Sequence, residues 1–393
     1  MFLLGAGASV EAGAPTSLQM TQKLLASFNE AGYLDQAGQA LNFVCGAIAA
    51  YDAAAGHDPL RSLDVERVYS AVELLAERRD LEVSPFVASW HPAVDVWDRP
   101  RLPSFWDKRF AQALAKPGFD TARDEVVALI RSATGQGTGD VYRGLADRMV
   151  QQLKQLVAIP PGQTAYLGPL LEMARDKRVD VTTLNYDLAV EQEGAARGID
   201  VSTGIESWTS HRSWDGPEKG VRLLKLHGSI DWRAATSEAQ LGHIAREAIA
   251  VARIDDHGAP QVVFGKRGKL KGGGPFRSML SEFEQRLAGA LTLISIGYAY
   301  RDDHVNHIIE QWLAADHRRG IVVIDPSWSS GGGRGSGPDY RDGLKARLNP
   351  DWLPEGQERP PNRMTYLEMG AGDGLQHLLG SDTGPAEQSP PIP

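Results

Sequence analysis

The chain opens on an apolar run, residues 1–4, that passes straight into Gly5-Ala6-Gly7-Ala8-Ser9, and runs of strand character resume only at Arg178. A lone strand cannot satisfy its own backbone hydrogen bonds, so this one must pair with strands far downstream. Between the two, apolar positions recur at three and four over residues 18–28, 41–51, 65–75, 126–130, 141–157 and 166–173, which is the period of a helix. Beyond them, residues 178–183, 221–226, 291–296, 321–324 and 364–368 are short β-rich runs, most of them leading into helical segments. Such runs predict strands buried on both faces of a parallel sheet. The expected topology is one α/β domain over residues 1–378, with a helical insertion over residues 18–173, followed by a flexible tail over residues 379–393. The first strand falls short of the ~5 or 6 residues usual for a strand; either it is stubby or the sequence begins inside it.

Hydrophobic residues make up 42% of the 393, enough for one large core or two ordinary ones. With 50 acidic against 41 basic residues, the net charge of −9 argues against a surface that gathers nucleic acid by charge alone; a local basic patch leaves nucleic-acid contact open. The single cysteine, Cys45, lies in an apolar helical context. It can make neither an intramolecular disulfide nor a four-thiolate zinc cage, and reads as a buried structural thiol. No signal peptide and no apolar segment long enough to span a bilayer is seen, so a cytoplasmic protein without membrane contact is expected. The aromatic stretch with Trp90, Trp97, Phe105 and Trp106 reads as packing anchors of an irregular loop, or as a substrate-facing surface. The basic, glycine-rich stretch from Gly265 to Gly274 resembles a lid or phosphate contact in composition only.

Polar residues gather where the β runs stop, which is where open parallel sheets place ligands. After the first strand, Gly5, Ala6, Gly7 and Ser9, with Pro15 and Thr16 beyond, form a small-residue turn that can approach a pyrophosphate, whose charge the following N–H groups can hold. Val10 fills the last glycine place of the dinucleotide G-x-G-x-x-G pattern, and a merely tight structural turn fits equally. At the next strand end, Thr183-Leu184-Asn185-Tyr186-Asp187 offers Asn185 to orient a ribose hydroxyl or a water and Asp187 to secure the loop; an Asx-type helix cap is the plainer alternative. His227, after an apolar run and before Gly228, suits proton exchange near neutral pH or a structural role. The last cluster runs from Gly297 to Asn306. Gly297 permits close approach, Tyr298 or Tyr300 stacks or packs, and Asp302 caps a helix carrying His304 and His307. Asp325 ends a later strand, where an acid accepts hydrogen bonds from ribose hydroxyls or simply caps.

Taken in order, these motifs resemble the SIR2-like proteins, in particular the bacterial branch without the zinc module of classical sirtuin deacylases. Gly5 to Ser9 with Ala12-Gly13-Ala14-Pro15 is similar to the family's opening NAD-binding loop, Thr183-Leu184-Asn185-Tyr186-Asp187 to its Thr-x-Asn-x-Asp motif, and Lys225-Leu226-His227-Gly228-Ser229 to the segment bearing its histidine. Gly297 to Asn306 resembles the Gly-Tyr-x-Phe-x-Asp-x-His-Ile-Asn block, with Tyr300 and Val305 in place of Phe and Ile. The resemblance implies a Rossmann-like parallel sheet with a large helical insertion, NAD+ as substrate and no metal. It further implies NAD+ hydrolysis to nicotinamide and ADP-ribose, with Asn185 and His227 as catalytic residues. NAD+ contacts are expected from Gly5, Ala6, Gly7, Ser9, Pro15, Thr16, Thr183, Asp187, Gly297, Tyr298, His304 and Asp325. It also implies an anti-phage defence role, a homo-oligomer, and a helicase-like ATPase as a possible partner. NAD-dependent deacylation and non-catalytic NAD or ADP-ribose sensing are the alternatives.

Overall fold

A computed structural model describes residues 1–29, 35–59, 63–78, 80–84, 94, 112, 140–237, 246–254, 256, 258–263, 274–328, 340–348 and 363–380. Seven strands form one sheet: β1 (Phe2–Leu4), β2 (Arg178–Thr183), β3 (Val201–Ser202), β4 (Gly220–Lys225), β7 (Thr292–Ile296), β8 (Gly320–Ile324) and β9 (Met364–Leu367). Their order is β3-β4-β2-β1-β7-β8-β9, and every pairing is parallel. Three residues suffice for β1 because it lies between two longer strands: Phe2 to Leu4 sit beside Val181 to Thr183 on one side and Ile294 to Ile296 on the other.

The period of two in a strand places Phe2 and Leu4 on one face of the sheet and Leu3 on the other. Phe2 and Leu4 join Val179, Val181, Val221 and Leu223 in one apolar cluster. Leu3 joins Leu224, Leu293, Ile321 and Val323 in a second. With both faces covered, the strands read as near-continuous apolar runs. This is a Rossmann-like parallel sheet with helical insertions, as the sequence pattern predicts.

Three strands were not legible as apolar runs: β3, only two residues long, and two that lie outside the seven-stranded sheet. β5 (Trp232–Ser237) and β6 (Arg246–Val251) pair antiparallel as a separate ribbon. Ile249 and Val251 are their only branched apolar residues; alanine, arginine and threonine dominate, unlike the near-continuous apolar runs of the buried strands. The segment expected to be helical over residues 166–173 begins as a 3-10 turn, Ala165–Leu167, before the short helix Gly168–Met173, whose first turn holds Pro169. Trp90, Trp97, Phe105 and Trp106, residues 126–130, residues 265–273 of the basic stretch and residues 381–393 of the tail lie outside the described residues.

The chain divides into two compact units, Met1–Met20 with Leu153–Pro393, and Thr21–Gln152. The named elements among the described residues of the second unit are helices. In it α1 (Gln36–Ala54) is capped by Asp35, which accepts from Gly38 N, and α2 (Val65–Ala76) by Asp64, which accepts from Glu66 and Arg67 N. Arg67 pairs with Asp52, and Cys45 is buried on α1, where burial pushes its thiol up to about 11. No described helix is long and apolar enough to cross a membrane.

Candidate active site

Chain order runs outward from β1 in both directions, to β2 and β4 on one side and to β7, β8 and β9 on the other. Such a reversal opens a crevice at the carboxyl ends of the strands. The residues that follow β1, β2, β4, β7 and β8 are Gly5, Leu184, Leu226, Gly297 and Asp325, so all four polar clusters end at this one rim.

The glycine turns pack on each other. Gly5 N–H donates to Ile296 O and Gly7 N–H to Gly297 O, both at 2.9 Å, while Gly297 N–H reaches Ile324 O. A Cβ on Gly5 would stand 2.5 Å from Tyr298 Cα, one on Gly7 2.8 Å from Gly297 Cα, and one on Gly297 2.3 Å from Ala8 N. The glycines read as room for a ligand are thus also required by backbone lying against backbone. Ala6 to Ser9 form a 3-10 turn with Ala8 and Ser9 buried. Pro15 is buried, and Thr16 forms a capping box with Gln19 at the start of the helix Ser17–Asn29: Thr16 N–H donates to Gln19 Oε1 and Gln19 N–H to Thr16 Oγ1.

Asn185 is joined to this turn. Its amide nitrogen donates to Gly5 O and Ser9 Oγ, each at 2.9 Å, which uses both N–H bonds and leaves Oδ1 as the group that can accept from a ligand or water. Thr183 Oγ1 accepts from Asn185 N–H at 3.0 Å and sets the bend of the chain. Asp187 Oδ1 accepts from Ala189 N–H at the start of α3 (Ala189–Arg197), the Asx-type arrangement. Loss of this buried hydrogen bond in Asp187→Ala should cost about 1 kcal/mol, read as a lower urea midpoint at unchanged slope.

Below the loop lies a cation that the sequence did not mark as buried. Lys225 is fully shielded from solvent, and its ammonium donates to Asp187 O at 2.5 Å and to Glu191 Oε1 at 2.8 Å. Burial pushes the Glu191 carboxyl up, against the pull of Lys225. The pair fixes the Asn185 to Asp187 segment from beneath.

His227 follows β4 and is 6% exposed. Its Nε2 lies 2.9 Å from Asp302 Oδ2, and its backbone O accepts from Val263 N–H. Asp302 also caps α4 (Asp303–Ala315), with Oδ1 accepting from His304 and Val305 N–H at 3.1 and 3.3 Å. Capping was legible; the link to His227 was not. Tyr298 hydroxyl donates to Asn306 Oδ1 at 2.9 Å, and burial holds its phenol well above the usual range. His304 is exposed on the first turn of α4.

Tyr300 is left-handed, with φ 55°, its carbonyl held by Asn306 Nδ2 at 2.8 Å and its ring stacked on Tyr340. A left-handed tyrosine is strained backbone of the kind that gathers at functional sites. Asp325 is buried; Oδ1 accepts from Ser327 N–H and Oγ–H at 2.8 Å, and Oδ2 faces Arg341 Nη2 at 3.4 Å.

The match that bears on this geometry covers residues 179–331. A SIR2-like domain is present over that part of the chain. The SIR2-like segment contains Asn185, Asp187, His227, Gly297, Tyr298, Asp302, His304 and Asp325, whereas the glycine turn after β1 lies outside it. A SIR2-like domain implies an enzyme that uses NAD. The comparison with curated proteins finds no match. Among the described residues, no group of three or more His, Cys, Asp or Glu side chains is arranged to hold a metal ion.

Proposed function

We propose that the protein is an NAD+ glycohydrolase that cleaves the nicotinamide–ribose bond and releases nicotinamide and ADP-ribose. The observation that carries this reading is the meeting of the Gly5 to Ser9 turn, Asn185 and His227 at one crevice of a parallel sheet that bears a SIR2-like domain. In it the pyrophosphate lies along the turn after β1 and the adenosine ribose near Asp325. As nicotinamide leaves, positive charge grows on the adjoining ribose, and the site must place a nucleophile and accept a proton there. Asn185 Oδ1 orients the water or the ribose, and His227 takes the proton from water directly or through a ribose hydroxyl.

The deciding experiment follows nicotinamide and ADP-ribose by mass spectrometry after NAD+ is added to purified protein, with and without an acylated peptide. Release without peptide supports hydrolysis. Release only with peptide assigns deacylation, and binding without release at any protein concentration assigns a sensor. The roles of an anti-phage effector, a homo-oligomer and a helicase-like ATPase partner are proposed from the motif resemblance, and a cytoplasmic location from the single cysteine. They are tested by phage plating with the wild-type and His227→Ala genes and by the mass of the assembly in solution.

A further inference from the structure

We infer that Asp302 is a positioning residue that fixes the tautomer of His227, making Nδ1 the nitrogen that exchanges the proton. The inference rests on the reading of His227 as the proton acceptor. Three contacts carry it. Oδ2 of Asp302 lies 2.9 Å from Nε2, with both side chains less than a tenth exposed. Oδ1 is held by two backbone N–H groups at the start of a 13-residue helix, where the helix dipole favours a carboxylate over a carboxylic acid. The third is the Tyr186 ring, 6.2 Å from the imidazole and tilted 33° to it, which limits how that ring can turn.

A carboxylate only accepts, so Nε2 must carry the hydrogen in neutral His227 and the lone pair must sit on Nδ1. Nδ1 has no hydrogen-bond partner among the described residues. When Nδ1 takes a proton, the imidazolium formed faces the Asp302 charge across a hydrogen bond already in place, and no side chain need move. α4 is thereby the element that orients the base: the same carboxyl group that starts the helix aims the histidine, which neither role alone would reveal.

Asp302→Asn separates the two roles. Asn remains a good N-cap, and with its oxygen kept on the helix N–H groups it presents –NH2 to Nε2. That arrangement demands the opposite tautomer, with the hydrogen on Nδ1. In protein labelled with 15N-histidine, two-bond correlation spectra of wild type are expected to show a protonated Nε2 and an unprotonated Nδ1 for His227, assigned by their loss in His227→Ala. Asp302→Asn is expected to reverse the pattern and to lower kcat for nicotinamide release by ~100-fold or more, with KM changed less than about threefold. A protonated Nδ1 in neutral wild-type His227 overturns the inference, as does an unaltered pattern in folded Asp302→Asn. The wild-type spectrum decides the tautomer even where the variant does not fold. It decides it also where the wild type releases no nicotinamide, an outcome that sinks the glycohydrolase reading and leaves the tautomer result standing.

Discussion

Gly297→Ala is expected to lose at least ~4 kcal/mol of stability, a size reserved for strained or clashing core positions, and so to consume much of the ~5–15 kcal/mol a folded domain has. Two separate causes add at this residue. Its φ of 57° lies in the left-handed region, which costs an L-residue roughly 1–2 kcal/mol. Its Cβ would also stand 2.3 Å from Ala8 N and from Gly7 C, and both are backbone atoms of the turn after β1, so no side-chain rotation relieves the contact. Two other glycines isolate the causes. Gly13 has φ 83° with nothing within 4 Å of a Cβ, whereas Gly5 has an unstrained φ of −103° and a Cβ 2.5 Å from Tyr298 Cα. Urea midpoints should therefore fall in the order Gly13→Ala least, Gly5→Ala more, Gly297→Ala most. A Gly297→Ala midpoint no lower than that of Gly13→Ala would show that the turns do not bear on each other.

That contact also marks the limit of what the sequence makes legible. The strands after Arg178 are short, β-branched and bounded by polar or glycine turns, and the helix period over residues 18–173 breaks where the second strand begins; local pattern alone carries that much. The four rim clusters could be read because open parallel sheets have one ligand edge. Gly297 was readable as a place that needs glycine, but its neighbour is Gly7, 290 residues earlier in the chain, and no spacing rule connects them. Lys225 reads as a charge at a strand end; only the Asp187 carbonyl and Glu191 closing over it make it a buried one. Asp302 is the sharpest case. Its N-cap role follows from the helix pattern just after it, whereas its bond to His227 depends on β4 and β7 ending at one level, with β2 and β1 between them in the sheet.

The variants that most change chemistry should be His227→Ala and Asn185→Ala, and they should differ in how they fail. Proton transfer by a positioned side chain contributes typically about 10²–10⁴-fold, and His227→Ala should lose nicotinamide release by roughly 10³-fold, within that range. Its NAD+ affinity should hold, because the glycine turn and Asp325 do not contact the imidazole. Asn185→Ala removes an Oδ1 from the reaction and also two donors from Gly5 O and Ser9 Oγ. The turn that carries the pyrophosphate in our reading loses its tie to β2, so this variant should weaken NAD+ binding as well as turnover. It should also unfold earlier by about 1–2 kcal/mol, the cost of leaving buried polar groups unpaired. Single-turnover release with saturating NAD+, beside titration calorimetry of both variants, separates the two. A folded His227→Ala protein that keeps wild-type turnover would remove the histidine from the mechanism. An Asn185→Ala protein with lost turnover and intact binding would place the amide in the chemistry alone, leaving the turn to be held by Gly297 and its carbonyl.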